Sequence, residues 1–266
     1  MTTNLTAWID GVGLLAPGIV DWASGREILA GRQDYQSAPT ALTAPALLPP
    51  AERRRASRLV KAALGVGFEA VTAAGADATM LATVFTSSSG DGHNCHALCE
   101  TLASSDRQVS PTRFHNSVHN AAAGYWGIAT GAMTPCQVLC AFDASFAAGL
   151  LETLVQVNTE KTSILLVSYD AEYPEPIHAA RPVPDAAGIA LLLSPQASHR
   201  SLSRISVRPD AMPATPMRRV ELEQLRTDIP AMRGLPLLDL LANHGGGIVS
   251  LEYLAPLQLR VEVTPC

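Results

Sequence analysis

The sequence predicts a layered α/β fold, a sheet with helices on both faces, and two observations carry that expectation. From about Leu81 to Ser194 the segments follow the order β-α-α-β-α-β-β, the alternation of an α/β layered fold. Apolar residues make up 47% of the chain and charged residues 16%, and the strand-like segments are Ala-, Val- and Leu-rich runs without polar alternation. Strands lose that alternation when both faces are covered. The 266 residues suffice for one continuous core. No tandem repeat or linker divides them, so a single domain over 1–266 is expected.

The elements follow in order. LTAWIDGVGLLAPG is a strand running into a Gly/Pro turn, and a short helix spans about Asp21 to Leu29. SAPTALTAPALLPP is an aperiodic connector. AERRRASRLVKAALGVGFEAV has apolar residues at helical spacing with Pro before its start, which predicts one long helix. MLATVFTSSSGDG is a buried strand ending in a Ser/Gly loop whose Asp91 is placed to N-cap the next helix, HNCHALCETLASS. Ser117 to Thr130 is a small-residue helix, PCQVLCAF a strand, ASFAAGLLETLVQV a helix, and TSILLVSYDA and GIALLLS strands. Beyond them, ISVRP is a strand, RRVELEQLR and LPLLDLLANH are helices, and IVSLEYLAPLQLRVEV is a hairpin.

Composition excludes several classes of partner. A net charge of −5 without a basic stripe argues against nucleic acid. The opening MTTNLTAWIDG lacks the features of a signal peptide. No apolar run approaches the ~20 residues that span a bilayer, so a cytoplasmic location is expected. The five cysteines, an odd number, point to free thiols. His93, Cys95, His96, Cys99, Cys136 and Cys140 suggest a metal by composition, but their spacing fits no familiar zinc pattern. No metal or cofactor is expected.

Three segments together carry a resemblance: GVGLLAPG at Gly11–Gly18, NAAAGYWGIATG at Asn120–Gly131, and PCQVLCAFDASFAAGLLETL at Pro135–Leu154. In order and spacing they resemble the N-terminal half of the β-ketoacyl synthases, over roughly Leu5 to Ser194. The match is nearest to a shortened, chain-length-factor subgroup of bacterial aryl-polyene and related polyketide gene clusters. AERRRASRL, SSSGDG, SPTRFHNSVHNAAAGYWGIATG and DASFAAGLLE carry that part of the likeness. The resemblance implies a thiolase-like layered fold with a nearly complete N-terminal half, 1–195, and an abbreviated C-terminal half, 196–266.

It also implies what is missing. Condensation in this family needs a thiol at a strained strand-to-helix turn, two histidines and an oxyanion hole. Aligning Asp-Ala-Ser with the family's Cys-x-Ser places Asp143 at the nucleophile position, and a carboxylate is a weak nucleophile toward a thioester. Cys140 is a displaced candidate nucleophile or a small buried strand residue. His244 is the one candidate histidine, or a helix C-terminus followed by capping glycines. The resemblance therefore implies a non-catalytic subunit that forms a heterodimer with an active β-ketoacyl synthase and shapes its acyl pocket. A decarboxylase or acyltransferase with a repurposed site, or an acyl-binding homodimer, are the alternatives.

In the family the segment before the nucleophile crosses a dimer interface. By that resemblance Phe114, His115, Asn116, His119, Asn120, Tyr125, Trp126, Cys136, Val138, Cys140 and Phe142 are expected at the interface or pocket. His115, Asn116, His119 and Asn120 are equally a helix cap with loop hydrogen bonds. The cluster Arg53, Arg54, Arg55, Arg58 and Lys61 is either a solvated helix face or a docking patch for an acidic acyl carrier protein.

Overall fold

The computed structural model describes residues 4–266; residues 1–3, where the opening considered for a signal peptide begins, lie outside them. The chain forms β1 (Leu5–Leu15), α1 (Trp22–Leu29), α2 (Pro50–Arg55), α3 (Arg58–Ala74), β2 (Ala82–Thr86), α4 (Gly92–Ala103), α5 (Pro111–Asn116) and α6 (Ala121–Thr130). There follow β3 (Cys136–Leu139), α7 (Ser145–Glu160), β4 (Ile164–Asp170), α8 (Ile177–Ala180), β5 (Ala187–Ser194) and β6 (Ser203–Asp210). The last elements are α9 (Val220–Asp228), α10 (Leu235–Ala242), β7 (Gly247–Glu252) and β8 (Gln258–Pro265).

Among the described residues all eight strands join one sheet, in the order β3-β2-β4-β5-β1-β6-β8-β7. β2 runs parallel to β3 and to β4, and the remaining ladders are antiparallel. Burial follows position in that order. Every residue of β4 and β5 is buried, because helices cover both faces there. β6 and β8 alternate buried with partly or fully exposed residues, because the sheet's C-terminal extension is covered on one face. One core packs α1, α7, α9 and α10 against the sheet, and the other packs α3 and α6 against the opposite face. Strands β6, β8 and β7 thus prolong the sheet past β1.

Three expected elements are shorter than the sequence suggested. The long basic helix breaks at Ala56, whose ψ of 117° is extended, and restarts where the Ser57 hydroxyl accepts from the Val60 amide. The small-residue helix begins only at Ala121, after turns over 117–120. The strand expected over Pro135–Phe142 keeps its ladder only to Leu139.

Helix α3 lies against β1 because Gly11 and Gly13 let it. A Cβ on Gly13 would stand 2.0 Å from the Val66 carbonyl oxygen, and one on Gly11 2.1 Å from that of Ala70. Gly13→Ala is therefore expected to destabilise the chain by about 2–3 kcal/mol through overpacking against backbone. Gly65→Ala, at an exposed helical position with nothing within 4 Å, should stabilise it by about 0.5–1 kcal/mol. Denaturant midpoints of the two variants check both signs.

Candidate functional site

The site is the turn between β3 and α7. After Leu139 the chain passes Cys140 and Ala141, then winds through one 3-10 turn, Phe142–Ala144, into α7. Three non-glycine residues have positive φ among the described residues: Phe142 at 53°, Lys161 at 56° and His244 at 48°. Lys161 and His244 end helices, whereas Phe142 stands at the start of one. An L-residue in this region carries steric cost and persists only where its surroundings impose it. Ser145 imposes it: its hydroxyl accepts from the Ala141 amide at 3.0 Å and donates to the Phe142 carbonyl at 2.7 Å, fully buried.

The apex of the strained turn is therefore Phe142, one residue before Asp143. Asp143, which the gapless alignment places at the nucleophile position, follows it directly. Asp143 pairs with Arg181, whose Nη2 lies 2.6 Å from Oδ1, and the same guanidinium lies 3.7 Å over the Phe142 ring. Asp143 and Arg181 also line a cleft of about 230 Å³ with Thr227, Asp228 and Pro230.

Behind the turn, a polar cluster converges on the loop Ser87–Ser89. Asp170, the last residue of β4, is buried and accepts from the Ser88 amide at 2.9 Å, the Ser88 hydroxyl at 2.7 Å and the Ser87 hydroxyl at 3.1 Å, all on Oδ1. Burial pushes its carboxyl up to about 6, only partly offset by those bonds. The Ser88 carbonyl accepts from Cys140 Sγ at 3.3 Å, His119 Nε2 lies 3.2 Å from the Ser87 carbonyl, and Tyr173 donates to Ser89 Oγ at 2.6 Å. Sequence reasoning missed Asp170. Its signal is a carboxylate ending the otherwise uncharged strand ILLVSYD.

Other expected residues fall differently. Cys140 is exposed, as is Cys136, so neither is a buried strand residue. β3 is the last strand on its side of the sheet, where Cys136 and Gln137 are exposed and Val138 is partly buried against the α3 face. Tyr125 and Trp126 are 0% and 2% exposed. Trp126 stacks on Phe68 at 4.6 Å and Tyr125 donates to Asn116, so both belong to this chain's own core and are not available to line a partner's pocket. Asn116 is buried too and donates to the Arg55 carbonyl at 3.0 Å. Asn120 precedes α6 without a side-chain cap bond, and His115 and Phe114 are exposed. His244 lies exposed after α10 and itself takes the left-handed position expected of a glycine.

The basic cluster is not a free patch. Arg53 donates to the Ala46 and Leu48 carbonyls, Arg55 pairs with Glu52, and Arg58 pairs with Glu172 and Asp185. Among the described residues only Arg54 and Lys61 of the five make no ion pair or side-chain hydrogen bond, and Lys61 lines a cleft with Glu69. Among the described residues no three His, Cys, Asp or Glu side chains converge as a metal-ligand set, and no helix is long and apolar enough to cross a membrane.

Asp170 makes stability depend on pH with a defined sign. Its folded pKa lies above its unfolded value, so its favourable contribution is full below about pH 4 and is lost as pH rises through about 6. Asp170→Asn keeps an acceptor for the serines and removes the titration. Relative to that variant, the wild type is expected to lose about 2 kcal/mol between pH 4 and 7, at about 1.4 kcal/mol per pKa unit. Urea melts of both proteins across that range check it, and parallel curves would mean that Asp170 titrates normally.

Residues 22–234 match the family model described as β-ketoacyl synthase, N-terminal domain. No curated protein matches the chain. Among solved structures, the ketosynthase ApeO in complex with its chain length factor ApeC, from Xenorhabdus doucetiae, is similar at 22% identity and TM-score 0.73, covering 97% of this chain and 99% of that one. The ishigamide ketosynthase/chain length factor is similar at 16% identity and TM-score 0.72, covering 98% and 99%. AntDE:AntF, a type II polyketide synthase acyl-carrier protein in complex with its ketosynthase, is similar at 8% identity and TM-score 0.78, covering 99% and 100%. The thiolase-like α/β fold expected from the sequence is the fold of these neighbours, and the chain belongs to the β-ketoacyl synthase family.

Proposed function

We propose that this chain is a non-catalytic ketosynthase-like subunit, of the chain-length-factor type, that works by pairing with an intact β-ketoacyl synthase. The observation that carries the proposal is Phe142. The strained turn carries a phenyl ring at its positive-φ residue and a carboxylate at the next, Asp143, and no thiol at either. Cys140 stands two residues before that apex and bonds the Ser88 carbonyl. The sequence holds no His-Gly-Thr pair, and His244 faces solvent. Chain-length factors in complex with their ketosynthases are among the structural neighbours, which supports the choice of partner. An acyl carrier protein would then be a partner of the complex, and the spent arginines 53, 55 and 58 make the basic cluster a poor docking patch for it.

Association through β3 and α6 has independent support. β3 ends the sheet, and a bare edge of backbone donors and acceptors invites another strand. Val118, Ile128 and Met133, on the segments leading into it, are exposed apolar residues. In α6 the three alanines 121–123 face inward, while Gly124 and Gly127 have open space where a Cβ would be. Glycine inside a helix costs about 1 kcal/mol against alanine, and this chain's own packing gives no reason for either one. A second backbone approaching α6 supplies that reason. Phe114 and Phe142, exposed where Tyr125 and Trp126 are sealed, are the aromatic side chains left to border a partner's acyl pocket.

Gly124→Leu and Gly127→Leu test this without disturbing the chain's own core. Each should fold with an unchanged or slightly raised melting temperature and lose co-purification with the ketosynthase partner at least tenfold. Glu160→Lys, exposed at the far end of α7, should co-purify normally. Retention of wild-type stoichiometry by both leucine variants would remove α6 from the interface and leave the pairing proposal without its surface.

A further inference from the structure

The segment between β4 and β5, residues 171–186, is fastened at both ends and at its tip. At its base, Arg58 of α3 holds both ends, bonding Glu172 at 2.5 Å and pairing with Asp185. Val183 is sealed in the core at 2% exposure. At the tip, Arg181 follows α8, bonds Asp143 and lies flat over Phe142. Its side chain is four-fifths covered, and its Nε is buried without a partner.

We propose that Arg181 is a lock: a positioning residue that seats the β4–β5 segment on the turn and makes its guanidinium the permanent occupant of the space above the apex. Two contacts of different kinds converge on one side chain. The carboxylate of Asp143 fixes the charge, and the ring of Phe142 offers its negative face to the same cation. Asp143 has a use in this arrangement that a residue merely replacing a lost nucleophile would not have. Phe142 and Asp143, adjacent in the chain, are respectively the platform and the counter-ion of the lock. The lock belongs to the same turn as the proposed function but needs no partner, so it is tested on the chain alone. Failure of the pairing assay would leave it standing, and its failure would leave the pairing proposal untouched.

The test is hydrogen exchange of the amides of residues 173–182 in Arg181→Gln, Asp143→Asn and the double variant. Each single change is expected to speed exchange there at least tenfold, while exchange in β4 and β5 stays as in the wild type. The double variant should exchange no faster than the faster single one, because both changes break one contact. Arg181→Lys, which keeps the charge and loses the flat stacking, should fall between wild type and Arg181→Gln and serves if the glutamine variant folds poorly. Wild-type protection of 173–182 in the single variants, or strictly additive losses in the double one, would overturn the lock.

Discussion

Two hydrogen bonds of the Ser145 hydroxyl hold the site in place. By accepting from Ala141 and donating to Phe142, that side chain stabilises a left-handed residue between a strand and a helix. The turn sets β3 at the rim of the sheet and leads straight into α7, which packs against β1, β2 and β4 beneath it. Without it the strand could not stop at the edge and the helix could not begin inside. The strained turn defines the architecture, because it ends the rim strand and starts α7. A phenylalanine can occupy it, since Arg181 and Asp143 supply new contacts on the outside while Ser145 keeps its bonds on the inside.

The order of the longer elements was legible in the sequence because helix and strand periods survive in short windows, whereas the short helices α5 and α8 have too few residues to show a period and were not expected. Fully apolar runs such as AGIALLLS and the small-residue pattern before the rim strand carried the layered fold. What escaped depended on three-dimensional bookkeeping. No residue pattern marks a positive φ, so the strained backbone at Phe142, beside the aligned Asp143, shows only in the fold. Adjacent aromatics on a helix point in different directions, yet Tyr125 and Trp126 are both buried, because α6 is overlain by α3 and met by Phe68 and Phe85. The arginine run looked like a solvated face or a docking patch, but its side chains bind backbone carbonyls and acids up to 127 residues away. Asp170 escaped because only the fold shows that a strand end is buried behind three serines.

The same features divide the surface by role. On one side of the turn, the polar cluster around Ser87–Ser89 and the clamped β4–β5 segment leave little that must move. On the other, a bare strand edge, glycines without neighbours and exposed apolar side chains have no explanation within the chain. Rigid behind and incomplete in front is the pattern expected of a subunit whose structure is finished by another protein.

The most direct measurement is intact-mass spectrometry of the co-purified pair after incubation with an acyl carrier protein thioester. The expected result is an acyl increment on the ketosynthase subunit and none on this chain, whose apex carries Phe142. An acyl increment on this chain, mapped to Cys140 or to any residue of the turn, would contradict a non-catalytic role.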